Sequence, residues 1–126
     1  MVGSNGLVEM RLKEIISVLE GDEIYVWDFV ERNISMVCAS DLMSDVLSPI
    51  KRNTLLLTGL VNPQVVRTAE FTDIVAVCFV RGKKPQKETV ELAKEKQIPL
   101  IATRYTMFEA CGKLYMKGLY GCDGCQ

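Results

Sequence analysis

The sequence predicts an α/β domain of three layers, a mainly parallel sheet of about four to five strands with helices on both faces. Three observations predict it. Short apolar runs alternate with amphipathic segments along most of the chain. The run at 74–80 is apolar throughout, as a strand buried on both faces must be, and 54–58 and 98–102 read as further strands. Helix starts and stops fall between the runs, so each strand is joined to the next by a helical crossover, which is right-handed.

The elements follow in order. Val8, Leu12, Ile15, Ile16 and Leu19 share one face at helical spacing, and Gly21 supplies the stop. Residues 22–30 are less decided. Ile24 and Val26 suggest a short extended piece, and Trp27 reads as a large apolar anchor. Tyr25, Trp27 and Phe29 form a dense aromatic group that reads as core or as a dimer face. Residues 34–39 read as a buried strand. Ser40 or Asp41 caps a short helix that turns Leu42, Met43, Val46 and Leu47 inward, and Ser48-Pro49 ends it.

Thr54-Leu-Leu-Leu-Thr58 is the next strand. Asn62 as N-cap and Pro63 at the first helical position start a helix whose apolar face is Val65, Val66 and Ala69. Residues 74–80 form a strand, 81–85 a loop, and a helix runs to about Lys96, with Lys87 and Glu91 four apart on its surface. Residues 98–102 are the last strand. Thr106-Met-Phe-Glu109 is a capping box. Phe108, Cys111, Leu114 and Tyr115 continue that helix to Gly118, with Cys111 read as core. The organisation predicted is a flexible lead-in at 1–6, one α/β domain at 7–118, and a Cys- and Gly-rich tail at 119–126.

Composition narrows the function. The 126 residues are 48% hydrophobic and 25% charged, enough for one core without disulfide or metal support. Formal net charge is -1, which offers no bulk attraction to nucleic acid or to an anionic membrane. No apolar run reaches the roughly 20 residues of a membrane helix, and residues 1–6 lack the pattern of a signal peptide. A cytoplasmic location is expected. The chain contains no histidine, which removes the commonest general base and metal ligand.

No complete catalytic set is present. A phosphate-binding loop needs Gly-x-x-x-x-Gly-Lys-Ser/Thr. Gly82-Lys83 has Val77 where the first glycine belongs. Gly112-Lys113 has Met107 there, and Leu114 in place of the hydroxyl residue. The carboxylates read as a cap (Asp41, with Asp45 four residues on) and as a solvated face (Glu88, Glu91, Glu95). A non-enzymatic role is expected.

The candidate binding site lies where ligands sit in open parallel sheets, beyond the carboxyl ends of the strands. Four polar loops qualify: Ser40-Asp41; Thr58-Gly59 with Asn62; Arg81-Gly82-Lys83-Lys84; and Thr103-Arg104 with Thr106. Helix N-terminal amides and the four cations among these residues suit an anionic small molecule such as a nucleotide or a phosphorylated metabolite. The plainer reading is that the Ser, Thr, Asp and Asn are caps, and that Lys83 and Lys84 form a solvated turn. Cys122-Asp-Gly-Cys125 is a C-x-x-C pair that suits zinc, an iron–sulfur cluster or dithiol cycling, with Cys111 as a possible third ligand. With no histidine and no second pair, one chain leaves a closed zinc site incomplete, and an exposed tail is the alternative. No other cofactor is expected. Cys38 and Cys78, in apolar runs, read as core.

Four segments carry a resemblance to the DRTGG domain family. They are Ala39-Ser-Asp-Leu-Met-Ser-Asp-Val-Leu47; Phe79-Val-Arg-Gly-Lys-Lys-Pro85; the helix and strand from Glu88 to Leu100 that ends in Ile98-Pro-Leu100; and Tyr105-Thr-Met-Phe-Glu-Ala-Cys-Gly-Lys-Leu-Tyr115. The chain resembles a stand-alone member, and the family resembles the N-terminal domain of HPr kinase/phosphorylase. The eponymous Asp-Arg-Thr-Gly-Gly stretch corresponds to Glu31-Arg-Asn-Ile-Ser35, of which Arg32 matches, with Met36 and Val37 where the glycines are expected. The resemblance implies an accessory domain for regulation or subunit association, found beside CBS domains in pyrophosphatases. It also implies a homodimer and a protein partner in anaerobic energy metabolism.

Overall fold

The computed structural model describes residues 8–47 and 52–121. Residues 54–58 lead the sheet as β5 (Thr54–Thr58), buried at every position. Beside it lie β4 (Met36–Ala39), β6 (Ile74–Phe79) and β7 (Leu100–Ala102). The sheet has six strands in the order β2-β7-β6-β5-β4-β8, with β2 (Asp22–Tyr25) and β8 (Tyr120–Gly121) at its edges. The pairs from β7 across to β8 are all parallel, and β2 runs antiparallel to β7. A separate antiparallel pair joins β1 (Met10–Arg11) to β3 (Asn33–Ile34).

Alternate residues of the central strands feed two cores, because helices cover both faces. Leu55, Leu57, Cys78 and Ile101 pack with Leu12, Ile15 and Leu19 around α1 (Leu12–Val18) and with Ala110 and Leu114 of α5 (Met107–Met116). Leu56, Val77, Phe79 and Leu100 pack on the other side. Their partners are Val46 of α2 (Met43–Leu47), Val65 and Val66 of α3 (Gln64–Glu70), and Ala93 of α4 (Lys87–Lys96). Each fully buried leucine or isoleucine contributes roughly 1.5–3 kcal/mol.

Several expectations change. The first helix starts at Leu12, because Met10 and Arg11 pair with Ile34 and Asn33 as β1. The strand expected at 34–39 is two strands, broken where the Ser35 N–H leaves the ladder for the Asn53 carbonyl, 2.9 Å away. Leu42 and Leu47 face outward at 59% and 53% exposure, since a five-residue helix turns one side to the core: Val46 is buried there and Met43 packs half-buried against it. Trp27 is no anchor. It is 78% exposed, at a residue with φ of +37°. Tyr25 and Phe29 are half-buried and meet edge to face at 5.9 Å. Phe108 is exposed because it lies about 200° round the helix from Ala110, which takes the inner face. Tyr115 is exposed too, while Cys111 is half-buried. Ile98 closes α4, donating its N–H to the Ala93 carbonyl, so β7 begins two residues later.

The ordered sheet reaches into the segment read as a tail. Gly118 turns the chain at φ of +101°, where a Cβ would meet the Val8 side chain at 2.6 Å. Leu119 is then buried, and Tyr120 and Gly121 pair with Met36 and Val37 as β8. Cys122 and Cys125 lie outside the described residues, as does the 1–6 lead-in. Among the described residues, no helix is long and apolar enough to cross a membrane.

Candidate functional site

The chain crosses from β6 through α4 on one face of the sheet and from β7 through α5 on the other. Adjacent strands that depart to opposite faces leave a crevice at their carboxyl ends, the usual ligand position in such sheets. All four candidate loops stand at this end. Strand order sets them side by side, after β7, β6, β5 and β4 in turn, over three strand spacings or about 14 Å.

Two of the loops are stapled together. The Arg81 N–H donates to the Tyr105 carbonyl at 2.8 Å, and the Gly82 N–H donates to the Thr103 carbonyl at 2.9 Å. These bonds hold Arg81 and Gly82 in successive left-handed conformations, with φ of +60° and +70°, closed by a Lys83 N–H to Val80 carbonyl bond. The conformation costs a non-glycine residue about 1–2 kcal/mol. Arg104 lies between the two carbonyls that accept these bonds, so both arginine-bearing loops share one rim.

The other pair converges on a carboxylate. Asp41 Oδ1 accepts the Thr58 hydroxyl at 3.0 Å and the Gly59 N–H at 2.6 Å. A Cβ on Gly59 would sit 3.5 Å from that carboxylate. The remaining polar groups cap the backbone. Ser40 Oγ accepts the Leu42 N–H at 3.0 Å, and Asn62 Oδ1 accepts the Gln64 N–H at 3.0 Å. Thr106 Oγ1 accepts the Glu109 N–H. The buried Thr103 hydroxyl donates to the Leu19 carbonyl at 2.7 Å. Each of these six side chains already has an internal partner.

The cations differ. Lys84 pairs with Asp22 at 3.3 Å. Arg81, Lys83 and Arg104 are exposed and form no ion pair with a described residue. The rim therefore presents three cations held on a rigid backbone. Sequence reasoning missed its acidic flank. Asp22 pairs opposite Ala102 because β2 is the antiparallel edge strand, and Glu20 accepts the Tyr105 hydroxyl. That hydrogen bond raises the Tyr105 pKa above its ordinary value. The signal available was the Glu20-Gly21-Asp22 turn, whose place in space depends on the pairing of β2.

Neither Gly-Lys pair forms a phosphate-binding loop. Gly112-Lys113 lies inside α5, and Gly82-Lys83 occupies the stapled turn. Among the described residues, no group of three or more Cys, Asp or Glu is placed to hold a metal.

No protein-family model matches the chain, and no curated protein does. Among solved structures, the chain is similar to the CBS and DRTGG domains of the regulatory region of Clostridium perfringens pyrophosphatase, complexed with its activator, diadenosine tetraphosphate. The TM-score is 0.69 at 18% identity, over 86% of this chain and 47% of that one. The two share a fold. This chain thus spans about half the length of that neighbour. The fold agrees with the α/β architecture expected from the sequence pattern and is consistent with a CBS/DRTGG-like fold, with six strands in the sheet where four to five were expected.

Proposed function

We propose that the protein is a non-catalytic regulatory domain that binds an anionic, phosphate-bearing small molecule of the nucleotide class at the carboxyl ends of β6 and β7. The observation that carries this reading is the stapled rim. Arg81, Lys83 and Arg104 stand on adjacent loops after β6 and β7 without carboxylate partners among the described residues, and hydrogen bonds join the backbones of those two loops. Such preorganised cations suit phosphate oxygens. The fold neighbour, itself part of a regulatory region bound to a dinucleotide activator, supports the same class of ligand.

Calorimetric titration of the full chain with diadenosine tetraphosphate, ATP and inorganic pyrophosphate tests the reading. Replacing Arg81 and Lys83 by alanine should weaken binding at least roughly ten-fold, as expected for losing one charge-assisted hydrogen bond. The melting temperature should stay close to wild type. Affinity indifferent to Arg81→Ala/Lys83→Ala and to Arg104→Ala would remove the site.

A second role is favoured by a different observation. Phe108, Tyr115 and Met116 stand exposed together on α5. Large apolar side chains grouped in this way suit subunit association, and we propose that the domain acts as a homodimer. The regulatory and homodimer readings are independent of each other.

A further inference from the structure

Phe108, Gly112, Tyr115 and Met116 recur at helical spacing along α5, on the side away from the buried Ala110 and Leu114. Phe108 and Met116 are each 87% exposed, and Tyr115 is 63% exposed. The patch continues onto β8, where the half-exposed Tyr120 ring lies 4.8 Å from that of Tyr115. With large side chains on the order of 200 Å² each, Phe108, Tyr115, Met116 and Tyr120 together expose on the order of 600 Å². That is as large as the largest patch on an ordinary monomer. Gly112 lies at the middle of this face, with nothing within 4 Å of the place a Cβ would occupy. A glycine inside a helix weakens it, and nothing within the described fold packs closely enough against Gly112 to require one.

We infer that this face is the contact between two copies of the chain, with α5 packed antiparallel against α5 of a second copy about a twofold axis at Gly112. The inference rests on the homodimer reading and adds the surface to it. The spacing is self-complementary, as an isologous contact requires. Phe108 and Met116 stand four residues to either side of Gly112, so the twofold sets Phe108 of one copy against Met116 of the other. Gly112 meets its own counterpart, and the missing side chains let the backbones approach closely. Charge agrees with this geometry. Glu109 and Lys113 flank the face on the same side, and the antiparallel arrangement brings each near the opposite charge of the other copy. Area agrees as well. Two such patches together bury about 1,200 Å², the lower bound for a specific stable interface.

Sedimentation equilibrium of the full chain is the test, with far-UV circular dichroism to confirm folding. The wild type should be a dimer. Phe108→Glu/Met116→Glu should be a folded monomer, since neither side chain contributes to a core. Gly112→Gln keeps the test open should the double variant fail to fold. Free of Gly112's flexibility, α5 should be more helix-stable, yet the dimer dissociation constant should rise at least ten-fold. A wild-type monomer at every concentration overturns both the homodimer reading and this surface. A wild-type dimer that neither substitution weakens overturns the surface and leaves the homodimer reading standing.

Discussion

Asp41 illustrates how single residues hold the candidate site. Its carboxylate ties the start of the β4–α2 connection to the end of β5 through Thr58 and Gly59. Asp41→Ala should lower stability by about 1–2 kcal/mol, seen as a lower urea midpoint at unchanged slope. Asp41→Asn keeps one acceptor oxygen and should lose less. An alanine variant as stable as wild type would show that water replaces the carboxylate at no cost. Asp41, Ser40 and Asn62 were legible as polar loop residues, and their capping bonds were one of the two readings open from sequence. Which cations stayed unpaired was not legible. Lys83 and Lys84 are neighbours in sequence, but Asp22 takes Lys84 from 62 residues away.

At the scale of elements, α5 is the clearest case. Thr106 and Glu109 close a capping box in which each side chain meets the other's backbone N–H. Thr106→Ala should cost about 1 kcal/mol by thermal or urea unfolding, and Thr106→Ser should restore most of it. If Thr106→Ala were neutral, the tertiary contacts of Ala110 and Leu114 alone would be holding the first turn. Capping was legible because it is local in sequence. The face that α5 buries was less so. Phe108, Leu114 and Tyr115 are all apolar at helical spacings, but burial selected Ala110 and Leu114 and left both aromatics outside. A helix with apolar residues on two sides does not declare which side meets the sheet. The same ambiguity affected α2, which turns Val46 and, half-buried, Met43 inward and leaves Leu42 and Leu47 outside.

For the whole molecule, the two-sided sheet has a chemical consequence. Cys78 lies fully buried near the carboxyl end of β6, in a sheet with helices over both faces, and burial pushes its thiol from the usual 9.0 up to about 12. The native chain therefore keeps a proton that the unfolded chain releases above about pH 9. The unfolded state binds fewer protons in that window, so stability contributed by this group is full below pH 9 and falls as pH rises toward 12. Alkylation by iodoacetamide at pH 8.5, followed by peptide mass spectrometry, should modify Cys78 no faster than the protein unfolds. Rapid modification under native conditions would mean that β6 opens locally. The buried position of Cys78 was legible from its apolar run, as was the strand at 54–58. The six-strand order was not.

The sequence by itself determined the class of fold, the parallel central strands, the helix caps and the loops at the carboxyl ends of the strands. These follow from local patterns: period, turn chemistry and the two-sided apolar runs of a covered sheet. Tertiary structure decided what depends on partners distant along the chain. It made residues 22–25 an antiparallel edge, carried residues 119–121 into the sheet beside β4, and turned Trp27 and Phe108 to solvent. It also joined the two arginine-bearing loops by backbone hydrogen bonds. A strand's neighbour and a helix's inner face are set by competition among all the surfaces that need covering. A residue's own flanking sequence carries little of that information.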